Sequence, residues 1–288
     1  IKQKVTVQSV DTASEAYALS LAEKARIDMP YMSKLTGKTE QELFEDLKGV
    51  IFLNPMHISE EDGKPKYLPA DEYLSGNVRE KLEWARRSAE LYPEDYSENV
   101  RALEAVQPVD LKASEISVRL GATWLPPETI EEFMFELFST PRYCQWNIHV
   151  HYAQYTGEWN VEGKSYDRTN VKAYNTYGTS RINGYKIMEE TLNLKDVRIF
   201  DYIEDENGKK TAVLNKKETA IAQGKQELIK QAFADWIWSD PERREQLTKL
   251  YNEKFNSIRP REYDGSHLNF VGINPEITLR PHQVNAIA

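Results

Sequence analysis

The stretch Thr39-Glu40-Gln41-Glu42-Leu43-Phe44-Glu45-Asp46-Leu47-Lys48-Gly49-Val50-Ile51-Phe52-Leu53 passes from a helical to an extended pattern within one short run. Thr39 and Glu42 stand at the spacing of a capping box, in which the hydroxyl and the carboxylate each accept an N–H that the helix start leaves unpaired. Leu43 and Leu47 share one helix face, and Gly49 supplies the stop. Val50 to Leu53 reads as a strand, Asn54 to Lys66 as a polar loop, and Tyr67-Leu68 as the returning strand.

Toward the N-terminus, Lys4 to Val10 is a candidate short strand. Asp11 and Thr12 offer caps for a helix to about Ile27, with Ala18, Leu21, Ala22 and Ala25 on one face. Pro30 suits the first turn of a second helix, which Gly37 ends. Three short helices followed by a hairpin, over residues 1–70, is the order of a winged helix-turn-helix, whose third helix commonly reads DNA. Here residues 38–48 set Lys38 and Lys48 against Glu40, Glu42, Glu45 and Asp46. A net negative helix is repelled by the phosphates whose neutralisation supplies most DNA affinity. A protein–protein or scaffold use of this unit is therefore expected, with DNA reading as the alternative.

Toward the C-terminus, residues 71–140 are expected to be mainly helical. Ser75 can cap a helix through Leu91, Tyr96 to Val106 forms another, and Pro126-Pro127 open a third. That third helix carries Ile130, Phe133, Met134, Leu137 and Phe138 at the spacing of a core-facing stripe. Residues 141–257 read as a mixed α/β region. Trp146, Ile148, Val150 and Tyr152 alternate with Asn147, His149 and His151 in a hairpin that turns at Tyr155–Glu158 and returns over Trp159 to Val161. His149 and His151 share a face, but no carboxylate or third histidine stands at a completing spacing, so no metal site is expected. A helix at 179–192 and strands at 196–203 and 211–214 follow, the strands joined by an Asn207-Gly208 turn. Helices at 216–238 and 240–257 come next, then an irregular linker over 258–288 until Pro281 opens a last helix. The expected class is α+β, mostly helical: a winged-helix-like N-terminal unit, a helical middle and a small mixed α/β C-terminal region.

The 288 residues can bury a real core. With 37 basic against 46 acidic residues, the net charge of −9 argues against a surface that coats nucleic acid everywhere, while allowing a local basic patch. The single cysteine, Cys144, excludes a disulfide framework and cysteine zinc sites and suits a reducing cytoplasm. No apolar run approaches the roughly 18 residues needed to span a bilayer, and Lys2 to Val10 lacks a signal-peptide pattern, so a soluble chain with no membrane partner is expected. A Walker-type phosphate loop, a nucleophile elbow, a His-Glu-x-x-His pair and a dinucleotide fingerprint are missing from the sequence. A hydrolase built from carboxylates is the remaining catalytic reading.

Two features point to partners. Gly163 to Ile187 holds Lys164, Arg168, Lys172, Arg181 and Lys186 against one acid, Asp167, with Tyr166, Tyr174, Tyr177 and Tyr185 interleaved. Cations for the backbone and aromatic faces for bases suit single-strand or distorted-duplex binding. Lys164, Arg168, Lys172, Tyr174, Tyr177, Arg181 and Lys186 are therefore the DNA-binding candidates; half-buried tyrosines and charges paired with neighbouring acids are the alternative. The second feature is Leu279-Arg280-Pro281-His282-Gln283. In helicase-like ATPases, a glutamine just upstream of the phosphate loop hydrogen-bonds the adenine edge, because an amide donates and accepts at once.

Four blocks in order carry a resemblance: Tyr73-Leu74-Ser75-Gly76-Asn77-Val78-Arg79-Glu80-Lys81-Leu82, Val118-Arg119-Leu120-Gly121-Ala122-Thr123-Trp124, Tyr251-Asn252-Glu253-Lys254-Phe255-Asn256, and Leu279 to Gln283. From about residue 45 onward the chain resembles the very large DNA methylase–helicase proteins of bacterial conjugative elements and phages. In that family an adenine-specific methylase region precedes a Swi/Snf-type helicase-like ATPase. The resemblance implies an internal connector that ends where the ATPase would begin, in a bacterial cytoplasm, with DNA and the flanking methylase and helicase domains as partners. It assigns Arg280 and Gln283 to nucleotide binding in the full-length protein only. ATP and S-adenosylmethionine belong to the parent protein, and the segment itself needs no cofactor. The methylase's Asn/Asp-Pro-Pro-aromatic motif is missing, since Leu125-Pro126-Pro127-Glu128 lacks both its leading residue and its aromatic. The expected function is a non-catalytic, DNA-positioning connector; its rival is a structural coupling module without DNA affinity.

Overall fold

The computed structural model describes residues 8–59, 63–204, 210–262 and 280–285. By contact density the chain forms two units, Ile1–Asp110 with Glu253–Ala288, and Leu111–Asn252. The expected breaks at 70, 140 and 257 follow composition, whereas these cuts follow contacts.

In the first unit, α1 (Ala13–Lys24) starts at a Thr12–Glu15 capping box, and Ala25 ends it in the left-handed region at φ 53°. Its buried face is Ala13, Ala16 and Ser20, rotated from the expected alanine and leucine stripe. Ser20 decides the rotation: its hydroxyl donates to the Arg26 carbonyl at 2.8 Å and accepts from the Asp28 N–H at 2.9 Å, tying down the loop to the next helix. The α2 helix (Met29–Thr36) has Pro30 in its first turn and Gly37 at its left-handed end. The α3 helix (Glu40–Asp46) keeps both halves of the Thr39–Glu42 capping box. Strands β1 (Ile51–Leu53) and β2 (Tyr67–Pro69) pair antiparallel, Phe52 opposite Leu68. Most of the expected Lys4–Val10 strand lies outside the described residues.

Alternation along β1 serves two cores. Ile51 joins Met32, Leu35, Leu43 and Leu47 among the three helices. Phe52 faces the other way and stacks on Tyr73, ring centroids 4.9 Å apart. After α4 (Ala70–Tyr73) and β3 (Gly76–Asn77), the helices α5 (Val78–Leu91) and α6 (Pro93–Ala105) close that second core with Leu82 and Leu103. Asn77, not the expected Ser75, caps α5 by accepting the Glu80 N–H. Asn99 of α6 is buried and donates to the Leu53 carbonyl at 2.8 Å and the Tyr73 hydroxyl at 2.9 Å.

In the second unit, α7 (Pro127–Phe138) buries Ile130, Phe133, Met134 and Phe138. The short helix α8 (Arg142–Gln145) leads into a hairpin of β4 (His149–Ala153) and β5 (Glu158–Glu162), with Val150 opposite Val161 and Tyr152 opposite Trp159. Trp146 does not join the alternation expected of it, because the strand starts only at His149; its ring is 83% exposed. Gly184–Leu192 forms α9, which starts later than expected because Asn183 caps it through the Lys186 N–H. The β6 (Phe200–Glu204) and β7 (Lys210–Leu214) strands pair, and the Asn207-Gly208 turn expected between them lies outside the described residues. Residues 196–199, expected as strand, are instead bonded by side chains of α10 (Lys216–Trp236). Gln226 accepts the Val197 N–H, Thr219 accepts the Ile199 N–H, and Gln223 donates to the Val197 carbonyl. Pro241–Phe255 forms α11; β8 (Ile258–Arg259) pairs with β3 in the first unit, and Pro281–Asn285 forms α12.

Three of the four sequence blocks quoted above, at 73–82, 118–124 and 251–256, hold tightly bonded or closely packed positions. Lys81 donates to the carbonyls of Glu72, Tyr73 and Ser75, while Arg79 reaches the Asn256 carbonyl at 2.9 Å and Asp110 at 2.5 Å. Gly121 has φ 92°, and a Cβ there would meet the Leu192 carbonyl oxygen at 2.4 Å. Asn252 is buried and exchanges hydrogen bonds with both backbone groups of Leu111.

Candidate nucleic-acid interface

The β4–β5 hairpin determines which residues of the basic stretch meet. A hairpin returns its flanks to one another, so the residues before His149 lie beside those after Glu162. Gly163 marks the closest approach: its φ is 69°, and an added Cβ would stand 1.9 Å from the Asn147 carbonyl oxygen. Lys172 donates to the Ser139 hydroxyl at 2.8 Å, Asn170 to the Phe138 carbonyl at 3.0 Å, and Cys144 Sγ lies 3.8 Å from the Tyr166 carbonyl.

Asp167, the stretch's one acid, points inward and is 2% exposed. It accepts hydrogen bonds from the Tyr185 hydroxyl at 2.8 Å and the Asn170 amide at 2.5 Å, and Cys144 Sγ lies 3.9 Å away. Tyr185 also bonds the Thr140 hydroxyl at 2.7 Å. Burial, with the Asp167 carboxylate adding, pushes the Tyr185 phenol well above its ordinary range; the same two causes raise the Cys144 thiol. These groups stay protonated at neutral pH and work as donors to the carboxylate, which costs least when every lone pair is used.

The cations divide. Lys164 pairs with Glu189 and donates to the Val161 carbonyl; Lys186 bonds Glu189 and Glu190 at 2.5 and 2.9 Å. Arg181 bonds the Asp201 carboxylate at 2.8 Å and the Phe200 carbonyl at 2.9 Å. Burial by itself would raise the Glu189 carboxyl, but the hydrogen bonds from Lys164 and Lys186 outweigh it and hold it below the usual range. Arg168 and Lys172 are exposed and, among the described residues, bond only neutral oxygens, of Ser165 and Ser139. The candidate tyrosines are less available: Tyr174 is half-buried with its hydroxyl accepting from Asn183, and Tyr177 packs on Phe138. Tyr185 is buried, and Tyr166 stays exposed.

The structure adds residues that the sequence stretch omits. Segment 139–148 contains no acid and lies along the 163–172 segment. It carries Arg142, the exposed Tyr143 and the exposed Trp146, and the neighbouring segment carries the exposed Tyr166, Arg168 and Lys172. With Asp167 withdrawn and Lys164 paired with Glu189, these two segments present three further cations, three exposed aromatic rings and no surface carboxylate of their own. Carboxylates border the face at the hairpin, where His149 lies 3.5 Å from Glu131 and His151 3.3 Å from Glu162. Among the described residues no group of three or more His, Cys, Asp and Glu is placed to hold a metal.

The other candidates lie in the first unit. Around α3, Glu40 accepts from Lys66 at 2.7 Å and Tyr67 at 2.8 Å, contacts that lower its carboxyl. Lys38 pairs with Asp46, Lys48 lies 3.6 Å from Glu45, and Lys38, Gln41, Glu42, Glu45 and Asp46 line an open depression. At α12, Gln283 turns inward on its own helix start: its Oε1 accepts the Arg280 N–H at 2.9 Å.

Residues 9–59 match a family model described as "Probable helicase, winged helix domain", and residues 119–257 match a domain of unknown function (DUF8437). No curated protein matches the chain, and no solved structure does. The N-terminal part is thus a helicase-associated winged-helix region in an α+β, mostly helical chain. No helix among the described residues is long and apolar enough to cross a membrane.

Proposed function

We propose, taking the helicase-associated winged helix as premise, that this chain is a non-catalytic connector that positions DNA within a methylase–helicase of a bacterial mobile element. Unit Leu111–Asn252 holds the nucleic-acid backbone on the face made by Arg142, Arg168 and Lys172. The observation that carries this is the acid-free surface of segments 139–148 and 163–172, their one carboxylate buried in hydrogen bonds. Phosphates favour such a surface because each neutralised charge releases a condensed counterion. Lys164, Arg181 and Lys186 serve the fold through their carboxylate partners. Arg280 and Gln283 take nucleotide only beside a phosphate loop supplied elsewhere in the parent, where ATP and S-adenosylmethionine would bind. The segment itself carries neither cofactor nor catalytic residue in this reading.

A titration of the 288-residue chain with labelled duplex, forked and single-stranded DNA at two salt concentrations tests the reading. Three phosphate contacts give a log–log salt slope of about −2 to −3. No salt-sensitive binding to any of the three DNAs sinks it. The second reading, a coupling module for the flanking domains without DNA affinity, is favoured by the acidic α3 and by the ion pairs that occupy three of the five cations.

A further inference from the structure

We infer that the same face stacks unpaired nucleobases on Tyr143, Trp146 and Tyr166, so that its ligand is single-stranded nucleic acid or the single-stranded arm of a fork. This rests on the reading that nucleic acid binds at Arg142, Arg168 and Lys172. The three rings are 71%, 83% and 64% exposed. None of them packs on another ring among the described residues, whereas most aromatic residues of the second unit are buried in its core or packed against it, Tyr155, Phe200 and Tyr202 being its other exposed rings. Tyr143 and Trp146 stand three residues apart at α8 and its C-cap, a spacing that sets them on one side.

The rings are held by what lies beneath them. Cys144, between Tyr143 and Trp146 in sequence, is buried against the Tyr166 carbonyl and Asp167. Asp167, between Tyr166 and Arg168, is anchored by Tyr185 and Asn170. Two buried pins therefore fix four outward residues, and little ordering remains to be done on binding. Duplex DNA keeps its base faces stacked on one another and can use only the cations. A single strand can use the cations and the rings together, and stacking is worth about 1–3 kcal/mol per base. The cations, with no carboxylate between them, favour a polyanion over an apolar protein surface as the occupant.

The test compares four labelled ligands of equal length on the full 288-residue chain: an oligothymidylate, an abasic strand, a duplex and a fork. The abasic strand keeps the phosphates and removes the rings' partners. Binding of the oligothymidylate about tenfold or more above the abasic strand and the duplex is expected, one stacked base being worth about that factor. Trp146→Ala with Tyr143→Ala should cut that preference to the part Tyr166 supplies and leave duplex affinity unchanged, while Trp146→Phe should keep most of it. Equal affinity for oligothymidylate and abasic strand overturns the inference while leaving the backbone-binding function standing. So does an alanine pair that changes no nucleic-acid affinity, the result expected if the rings serve a protein partner. Loss of all salt-sensitive binding in the unaltered chain instead removes the function itself.

Discussion

The α3 helix of the winged-helix region and the Arg142–Lys172 face of the second unit are both exposed, charged and set beside a hairpin, yet they treat acids in opposite ways. On α3 the carboxylates stay outside: Glu40, Glu45 and Asp46 meet lysines at the surface, and Glu42 closes its own cap. On the second face the lone carboxylate, Asp167, is drawn inside and satisfied by neutral donors, leaving Arg168 and Lys172 without an acid among the described residues. The field over a surface thus depends on where each acid is placed as much as on how many the sequence holds.

The comparison breaks most completely if the second face is dismantled while α3 is left alone. Gly163→Val adds a Cβ where a carbonyl already stands and puts a β-branched residue at φ 69°. Denaturant titration should show a loss of more than about 3 kcal/mol in the second unit, with the capped helices of the first unit intact by hydrogen exchange. Next in size is Glu189→Gln, which leaves Lys164 and Lys186 without their shared carboxylate. Breaking a buried pair costs about 3–5 kcal/mol, and the partial exposure of both lysines reduces this to about 2 kcal/mol. Glu189 has its carboxyl held low in the folded state, so its contribution is complete above the usual carboxylate range and fades as pH falls through that lowered value. Urea midpoints measured from neutral pH down to pH 3 should drop on the acid side, and the glutamine variant should flatten the second unit's share of that drop.

A smaller effect sharpens the contrast within the basic stretch. Arg168→Gln with Lys172→Gln should weaken duplex binding about tenfold and reduce the salt slope by about two. Arg181→Gln should change binding less than twofold and act on stability instead, because its guanidinium already bonds Asp201 and Phe200. The smallest change is Thr39→Ala, which removes half the α3 capping box and should cost about 1 kcal/mol in a melt, with DNA affinity unchanged.

Local chemistry made much of the fold legible. Both Thr–Glu boxes work over three residues, and Thr39–Glu42 was visible without any tertiary knowledge; so were Pro30, Gly37 and the Val150–Val161 hairpin. The α1 face was not, because a buried serine hydroxyl serving a distant loop outranks a stripe of alanines. The basic stretch was counted over residues 163–187, and the acids that answer Lys164, Arg181 and Lys186 sit at 189, 190 and 201, just past that window. Arg142, Tyr143 and Trp146 lie outside that window for a related reason. The alternation puts Trp146 on a strand face, although a hairpin read from sequence already requires its two flanks to be neighbours.

The two faces of β1 bear on how this protein can be divided. Ile51 closes one core and Phe52 another, and the Leu53 carbonyl depends on Asn99 far along the chain. The matched winged-helix region, residues 9–59, therefore has a party wall on one side. A fragment cut at its end would lose β2, expose Phe52 and leave that carbonyl without its donor. A portable cassette, a piece that recombination or a cloning experiment can move with both faces of β1 covered, must run on at least through α6.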